Sequence, residues 1–287
     1  MENSAGILYL VATPIGNLED MSCRAIRTLK EADLIAAEDT RNSIKLLNHF
    51  EIDTPMTSYH EHNKYDKAQY LVDEILAGKN VALITDAGTP GISDPGEVVV
   101  AECIKNGIEV TSIPGPAACI NALIISGLST RRFKFEAFLP SNKKQRKDIL
   151  ELLKDETATM IIYEAPHHLV GTLDELFEAL GDRRCAVVKE ITKKHETVYR
   201  GTLGSACAYY KANEPKGEYV IVIEGRSIEE LKDDKRQSYL DMSIEEHFNM
   251  CIEEGLDRKS AMKRVALERG ISKKDVYREL IPGESDD

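Results

Sequence analysis

The chain has no apolar run approaching the roughly 20 residues that a bilayer-spanning helix needs, and its first residues lack the basic-then-apolar layout of a secretory signal. Its six cysteines (Cys23, Cys103, Cys119, Cys185, Cys207 and Cys251) form no C-x-x-C pair. These absences predict a cytoplasmic protein with reduced thiols and no membrane role. His60, His62, His167 and His168 belong to no H-E-x-x-H and no Cys/His ligand spacing, so no resident metal is expected. The sequence contains no phosphate-cradling G-x-x-x-x-G-K-[ST], no G-x-G-x-x-G after the first apolar run and no G-x-S-x-G elbow. Nucleoside triphosphates, nicotinamide dinucleotides and acyl transfer therefore lose support. Positive charge is also short: 37 Lys and Arg face 49 Asp and Glu, leaving a net charge of −12. Non-specific nucleic-acid affinity comes from neutralising phosphates, so a generic polyanion binder is excluded and any RNA contact must be local.

What remains is a regular alternation of short apolar runs with amphipathic stretches, over 287 residues that are 42% hydrophobic. Alternation of this kind predicts strands and covering helices in an α/β fold. We read two α/β lobes, over 1–117 and 118–228, then a linker over 229–242, which is charged and poor in core residues, and a small helical tail over 243–287. Predicted strands fall at 7–12, 34–37, 81–85 and 110–113 in the first lobe. In the second they fall at 135–138, 159–164, 186–191, 197–202 and 219–224, the last two expected to pair antiparallel because the return between them is short. Ser243 with Glu246 matches a helix-capping box, and Gly270 separates two short tail helices.

The loops that leave the first-lobe strands are unusually rich in Gly and Pro: 13–17, 37–41, 86–96 and 114–118. Ligands bind open α/β sheets at the C-terminal strand ends, and Gly lets backbone approach a ligand closely. Any one such loop is ordinary turn chemistry. Four on one sheet edge point to a binding site.

At these loops, "LVATPIGNLEDMSCRA", "AAEDTR", "ITDAGTPGISDPG", "SIPGPAA", "FLP", "YEAPHHL", "KEITKKHET" and "KGEYVIVIEG" occur together and in order. The chain thereby resembles the ribosomal RNA branch of the tetrapyrrole-methylase-like family, from about residue 7 to 225. The resemblance implies two α/β lobes with S-adenosylmethionine in the cleft between them, a homodimer, and methylation of the ribose 2′-oxygen of a cytidine, cytidine 1402, in 16S rRNA of the small ribosomal subunit. By motif, the cofactor residues carried over are Pro14, Gly16, Asp86, Ala87, Gly88, Ile92, Ser93, Asp94, Pro116 and Ala117. From the second lobe come Tyr163 and Glu164 beside the adenine, and Lys216, Gly217 and Glu218 before the closing strand. Relatives acting on a tetrapyrrole or on a modified protein side chain usually carry a glycine-rich, acid-ended first loop, whereas Thr13 to Asn17 here favours the RNA branch. A non-catalytic RNA-binding assembly module is the reading from another class.

Transfer to a ribose hydroxyl needs in-line positioning and an acceptor for the departing proton. Glu38, Asp39 and Arg41 offer an acceptor beside a phosphate-binding guanidinium, with an internal Asp–Arg pair capping the next helix as the alternative. Glu190 and Lys193 form a second candidate pair, Lys193 for an RNA phosphate and Glu190 to orient it, with simple surface pairing equally open. Lys143, Lys144, Arg146 and Lys147 follow the strand end at Phe138 and are the first candidates for RNA phosphates.

Overall fold

The computed structural model describes residues 5–280, and the chain falls into two compact units, 1–225 and 226–287. The break after Gly225 falls slightly before the expected boundary at 228.

In the first unit, β1 (Ile7–Val11), α1 (Cys23–Glu31), β2 (Leu34–Ala37), α2 (Thr40–His49), β3 (Met56–Ser58), α3 (Lys64–Leu76), β4 (Val81–Ile84), α4 (Gly96–Lys105) and β5 (Glu109–Ile113) form a parallel sheet of order β3-β2-β4-β1-β5. β3 is absent from the sequence reading; it is a three-residue edge strand too short to show periodicity. Helices start where side chains supply the missing acceptors: Ser22 takes the Ala25 N–H for α1, and Asp39 takes the Arg41 N–H for α2. One sheet face packs Leu8, Ala36, Val81 and Leu83 under α3 and α4. The other packs Ile35, Ala37, Ala82 and Ile84 under α1 and α2. Strands buried on both faces read as unbroken apolar runs, which is why β2 and β4 stand out in sequence. From β2 the chain moves outward to β3, and from the neighbouring β4 it moves the other way to β5. The connections diverge between β2 and β4, opening a crevice at their C-terminal ends.

A second sheet follows, made of β6 (Phe133–Phe138), β7 (Thr159–Glu164), β8 (Arg184–Lys189), β9 (Thr197–Thr202) and β10 (Tyr219–Ile223). Its order is β6-β7-β10-β8-β9. Only β6 and β7 are parallel. α5 (Ala118–Ser126), ended by Gly127 at φ 81°, lies on one face, with Cys119, Ala122 and Leu123 against Ile161, Ala186, Val188 and Val222. The opposite face is covered by α6 (Lys143–Leu153), α7 (Pro166–Leu180) and α8 (Leu203–Ala212). The expected pairing of β9 with β10 is incorrect. β9 pairs with β8, Arg184 opposite Thr202, and β10 runs between β7 and β8. The intervening residues form α8, capped by Thr202 and Ser205, a full crossover where sequence suggested a short return.

In the second unit, the stretch read as a linker, 229–242, is helical up to residue 241. The helix, α9 (Ile228–Asp241), buries none of its residues and starts at a capping box of Ser227 and Glu230. Three short helices follow: α10 (Ile244–Glu253), α11 (Arg258–Arg269) and α12 (Lys273–Leu280). They share a small core of Phe248, Cys251, Ala261, Val265 and Val276. His247 is fully buried and stacked on Tyr239, with ring centroids 4.1 Å apart. Arg269 Nε donates to His247 Nδ1 at 3.3 Å, so that nitrogen accepts and Nε2 donates to Glu268 at 2.9 Å. Arg264 bridges Glu254 and Glu268. The metal-free expectation rested on sequence spacing, and the fold adds something spacing could not show. Among the described residues, His247, Cys251 and Glu268 each bring one potential ligand atom within 4.8 Å of the others.

Candidate active site

The crevice after β2 and β4 faces the α5-covered side of the second sheet, and a cavity of about 580 Å³ lies between them. Clefts of 300–1,000 Å³ hold ligands of cofactor size. Two glycine-rich loops build its floor. Thr13 and Gly88 exchange backbone hydrogen bonds of 2.9 and 3.1 Å, locking the loop after β1 to the loop after β4. Gly88 has φ 89°, and a Cβ there would lie 3.2 Å from Ile15 Cγ2. Thr89 Oγ1 donates to the Pro116 carbonyl at 2.9 Å, tying the same loop to the start of α5. Asp94 closes the far end by accepting from the N–H groups of Gly91, Ile92 and Gly96.

Twelve of the residues proposed from sequence line this cavity: Glu38, Asp86, Ala87, Gly88, Ile92, Ser93, Asp94, Ala117, Tyr163, Glu164, Lys193 and Glu218. Pro14, Gly16 and Pro116 are in the framing loops without lining it. Gly16 has φ 149° and lies beneath the Lys193 stem, where a Cβ would meet Lys193 Cγ at 2.3 Å. Glu190 is one layer behind, accepting from the Glu218 N–H at 2.8 Å and from Lys193 Nζ at 3.0 Å. Gly217, at φ 82°, leaves room for that carboxylate. Lys216 points outward to Glu214.

Asp39 and Arg41 do not reach the cavity. Asp39 caps α2 and takes both Nε and a terminal nitrogen of Arg41, at 3.1 and 2.8 Å. That bonding pulls the Asp39 carboxyl down to about 2. The Arg41 side chain is 88% exposed. Lys143, Lys144 and Lys147 are exposed on α6, whereas Arg146 turns inward and is bonded to Glu175 and Thr172.

Much of the apolar lining was not read from sequence. Ile15, Phe138, Val188, Ile191 and Val220 complete it. Ile15, Phe138, Ile191 and Val220 lie in quoted motifs without being named for the site, whereas Val188 lies outside them and reaches the cavity wall by its register opposite Val220. Tyr163 stands on β7 against Phe135 and Phe138, and its hydroxyl accepts the Cys119 N–H at 3.0 Å. Burial raises the Tyr163 hydroxyl well above its ordinary range, leaving it a neutral acceptor at the start of α5.

The polar wall is acidic: Glu38, Asp86, Asp94, Glu164 and Glu218 against the single cation Lys193. Burial raises the Glu38 carboxyl; the Asp86 N–H opposes the rise, while the Asp86 and Asp94 carboxylates add to it. Burial pushes Lys193 down, but bonds to Glu218 and Glu190 outweigh it and hold the ammonium above its usual range. Burial likewise pushes Glu190 up, and the Glu218 N–H and Lys193 more than reverse it. The wall suits a cationic ligand with an apolar face and several hydrogen-bond donors.

Two facing sheets with an acid-lined cavity at the crossing of their loops define a class, and residues 7–207 match the family described as Tetrapyrrole (Corrin/Porphyrin) Methylases. The chain is 48% identical to ribosomal RNA small subunit methyltransferase I of Synechocystis sp. (strain ATCC 27184 / PCC 6803 / Kazusa), covering 98% of this chain and 99% of the relative. Against the protein of the same name from Halalkalibacterium halodurans it is 48% identical, covering 95% of this chain and 93% of the other. The chain belongs to the ribosomal RNA small subunit methyltransferase I family, within the tetrapyrrole methylases. A crystal structure of diphthine synthase superposes with a TM-score of 0.60 at 15% identity, covering 77% of this chain and 91% of that one, which shows the fold alone. Among the described residues no helix is long and apolar enough to cross a membrane.

Proposed function

We propose that this chain methylates small-subunit ribosomal RNA in the cytoplasm, transferring the methyl group of S-adenosylmethionine to the ribose 2′-oxygen of a cytidine. The observation that carries the reading is the acid-lined cavity between the sheets, in a chain whose relatives over nearly its full length are named as ribosomal RNA methyltransferases. The donor set fits the cofactor. Phe138, Tyr163, Val188 and Val220 suit an adenine face, Glu164 and Glu218 suit amine and hydroxyl donors, and the excess of carboxylates suits a sulfonium and an ammonium. When bound, S-adenosylmethionine supplies an electrophilic methyl carbon.

The protein's own part is positioning and proton acceptance. The Thr13–Gly88 bridge holds the floor in place before any ligand arrives, so little ordering is left to do on binding. Glu38 stands at the β2 end of the crevice, and its raised carboxyl makes it a better proton acceptor than an exposed glutamate. Asp86 is braced for the same wall, accepting from the Asp39 N–H at 3.2 Å and Asn42 at 3.3 Å. Lys193, held between Glu190 and Glu218, closes the opposite side. We also propose a homodimer, favoured by Ile120 and Ile124, exposed one turn apart on α5; light scattering should return twice the mass of one chain.

In a host lacking this protein, digestion of 16S rRNA and mass spectrometry of the nucleosides should show that 2′-O-methylation at the decoding-site cytidine has gone, and complementation should restore it. Unchanged methylation in the deletion strain would sink the substrate assignment. RNA contact should be local to α6. Replacing Lys143, Lys144 and Lys147 by Gln should flatten the log–log salt dependence of RNA binding by roughly 0.7 to 0.9 for each phosphate that is no longer neutralised. A salt slope equal to the parent's would make the three lysines an ordinary solvated helix face.

A further inference from the structure

Of the four basic residues at the start of α6, Arg146 alone is turned into the protein, and its bonds lead back to the cavity. Its terminal nitrogen donates to Thr172 Oγ1 at 2.7 Å, while Nε pairs with Glu175. Thr172, on α7 and buried, donates in turn to Glu164 Oε2 at 2.5 Å. The other Glu164 oxygen, Oε1, accepts the Ala165 N–H at 2.8 Å. Glu164 is itself buried and lines the cavity.

The direction of this chain of bonds is fixed by chemistry. A guanidinium has donors only, so the Thr172 hydroxyl must accept from Arg146, and its single proton is then committed to Glu164. Both Glu164 oxygens are thereby acceptors, each already satisfied once from the protein side. A carboxylate has about four lone-pair positions, so two remain for the cavity. A hydroxyl polarised by a cation also donates more strongly, because hydrogen bonds in a chain reinforce one another. Nothing in this arrangement serves an RNA phosphate.

We propose that Arg146 is a positioning residue of the methyl-donor site: through Thr172 it holds Glu164 in place as a pure acceptor, turned toward an amine or hydroxyl of the bound donor. The inference rests on the functional reading above and replaces the phosphate-binding role that sequence position suggested for Arg146. It separates α6 into two functions, lysines that face solvent and one arginine that supports the cavity wall.

The test is calorimetric titration of the whole chain with S-adenosylhomocysteine, alongside circular dichroism and RNA binding across a salt series. Arg146→Gln and Thr172→Val should each weaken the nucleoside by roughly three- to tenfold, the worth of one well-placed hydrogen bond. Arg146→Lys should recover much of the loss. In a Glu164→Ala background, which removes the acceptor altogether, Arg146→Gln should cost nothing further; a merely structural role would cost the same in both backgrounds. The salt slope for RNA should stay at the parent's value in Arg146→Gln. Unchanged nucleoside affinity in folded Arg146→Gln and Thr172→Val overturns the inference, as does an Arg146→Gln loss of equal size with and without Glu164. Thr172→Val keeps the test open if Arg146→Gln fails to fold, because it is nearly isosteric. If the parent itself binds no nucleoside, the functional reading falls and this inference with it; parental binding with unaffected variants removes the inference alone.

Discussion

Gly88→Val is expected to abolish detectable binding of S-adenosylmethionine, weakening it by roughly 100-fold or more, about 2.7 kcal/mol or greater, while circular dichroism remains that of a folded chain. Gly88 has φ 89°, its backbone carries both bonds to Thr13, and a Cβ would already touch Ile15. A branched side chain must therefore occupy the cavity floor or tilt the bridge that forms it. The backbone strain costs on the order of 1–3 kcal/mol, but position 88 belongs to none of the apolar clusters that hold the two sheets. Ser93→Lys provides an independent arm, because Ser93 already tolerates φ 66° and its exposed side chain borders the same cavity. Calorimetry on both variants decides the matter. If both fold and both bind as the parent does, the donor site is not at this loop.

Glu38→Gln should lower single-turnover methyl transfer to small ribosomal subunits by about 10²–10⁴-fold, with a much smaller effect on donor affinity. Gln preserves size and most hydrogen bonding but cannot take a proton. In the parent the rate should rise with pH through the raised Glu38 carboxyl, since only the ionised form accepts a proton, and that limb should vanish in the variant. The sign for stability is the reverse. A folded-state value raised above the unfolded one contributes stability that is fully present below the unfolded value and lost as pH rises through the folded one. The neutral amide escapes that loss, so Glu38→Gln should unfold no earlier than the parent at neutral pH, and a rate defect cannot be ascribed to a damaged fold. A variant with the parental rate and the parental pH limb would remove Glu38 from the chemistry.

The parts of this site that could be read in sequence are those whose requirements are local. Gly88 and the residues around Asp94 announce a loop because backbone at positive φ, or folded tightly around a carboxylate, restricts residue choice one position at a time. β7, β8 and β10 are legible because strands covered on both faces carry an unbroken apolar run, along all of β10 and through the middle of β7 and β8. Pairing is a different kind of information. Sequence points β9 to the wrong partner because nothing in its six residues records that β8, rather than β10, lies beside it. The same non-locality hides Val188 and Val220 as cavity wall. Asp39 and Arg41 stay open between two readings for the opposite reason: a strong local interaction, a helix cap with its own counter-charge, looks in sequence like an acid and a cation set out for a substrate. Arg146 looks like its lysine neighbours until Thr172, 26 residues away, is placed beside it. α9 carries a readable start signal at Ser227 and Glu230, but its lack of a buried face argues for a linker.

The divergence of the β2 and β4 connections bears on how such a protein can change. Because the chain leaves the crevice in both directions, the acidic groups there are held by local bonds, Asp86 to Asn42 at the start of α2 and Asp94 to its own turn, and not by the packed interior. Exchanging them puts little of the sheet's burial at risk, so a lineage can try new substrates at low cost to folding. A diphthine synthase shares this fold at 15% identity, as expected where a scaffold and the loops at its rim answer to separate demands.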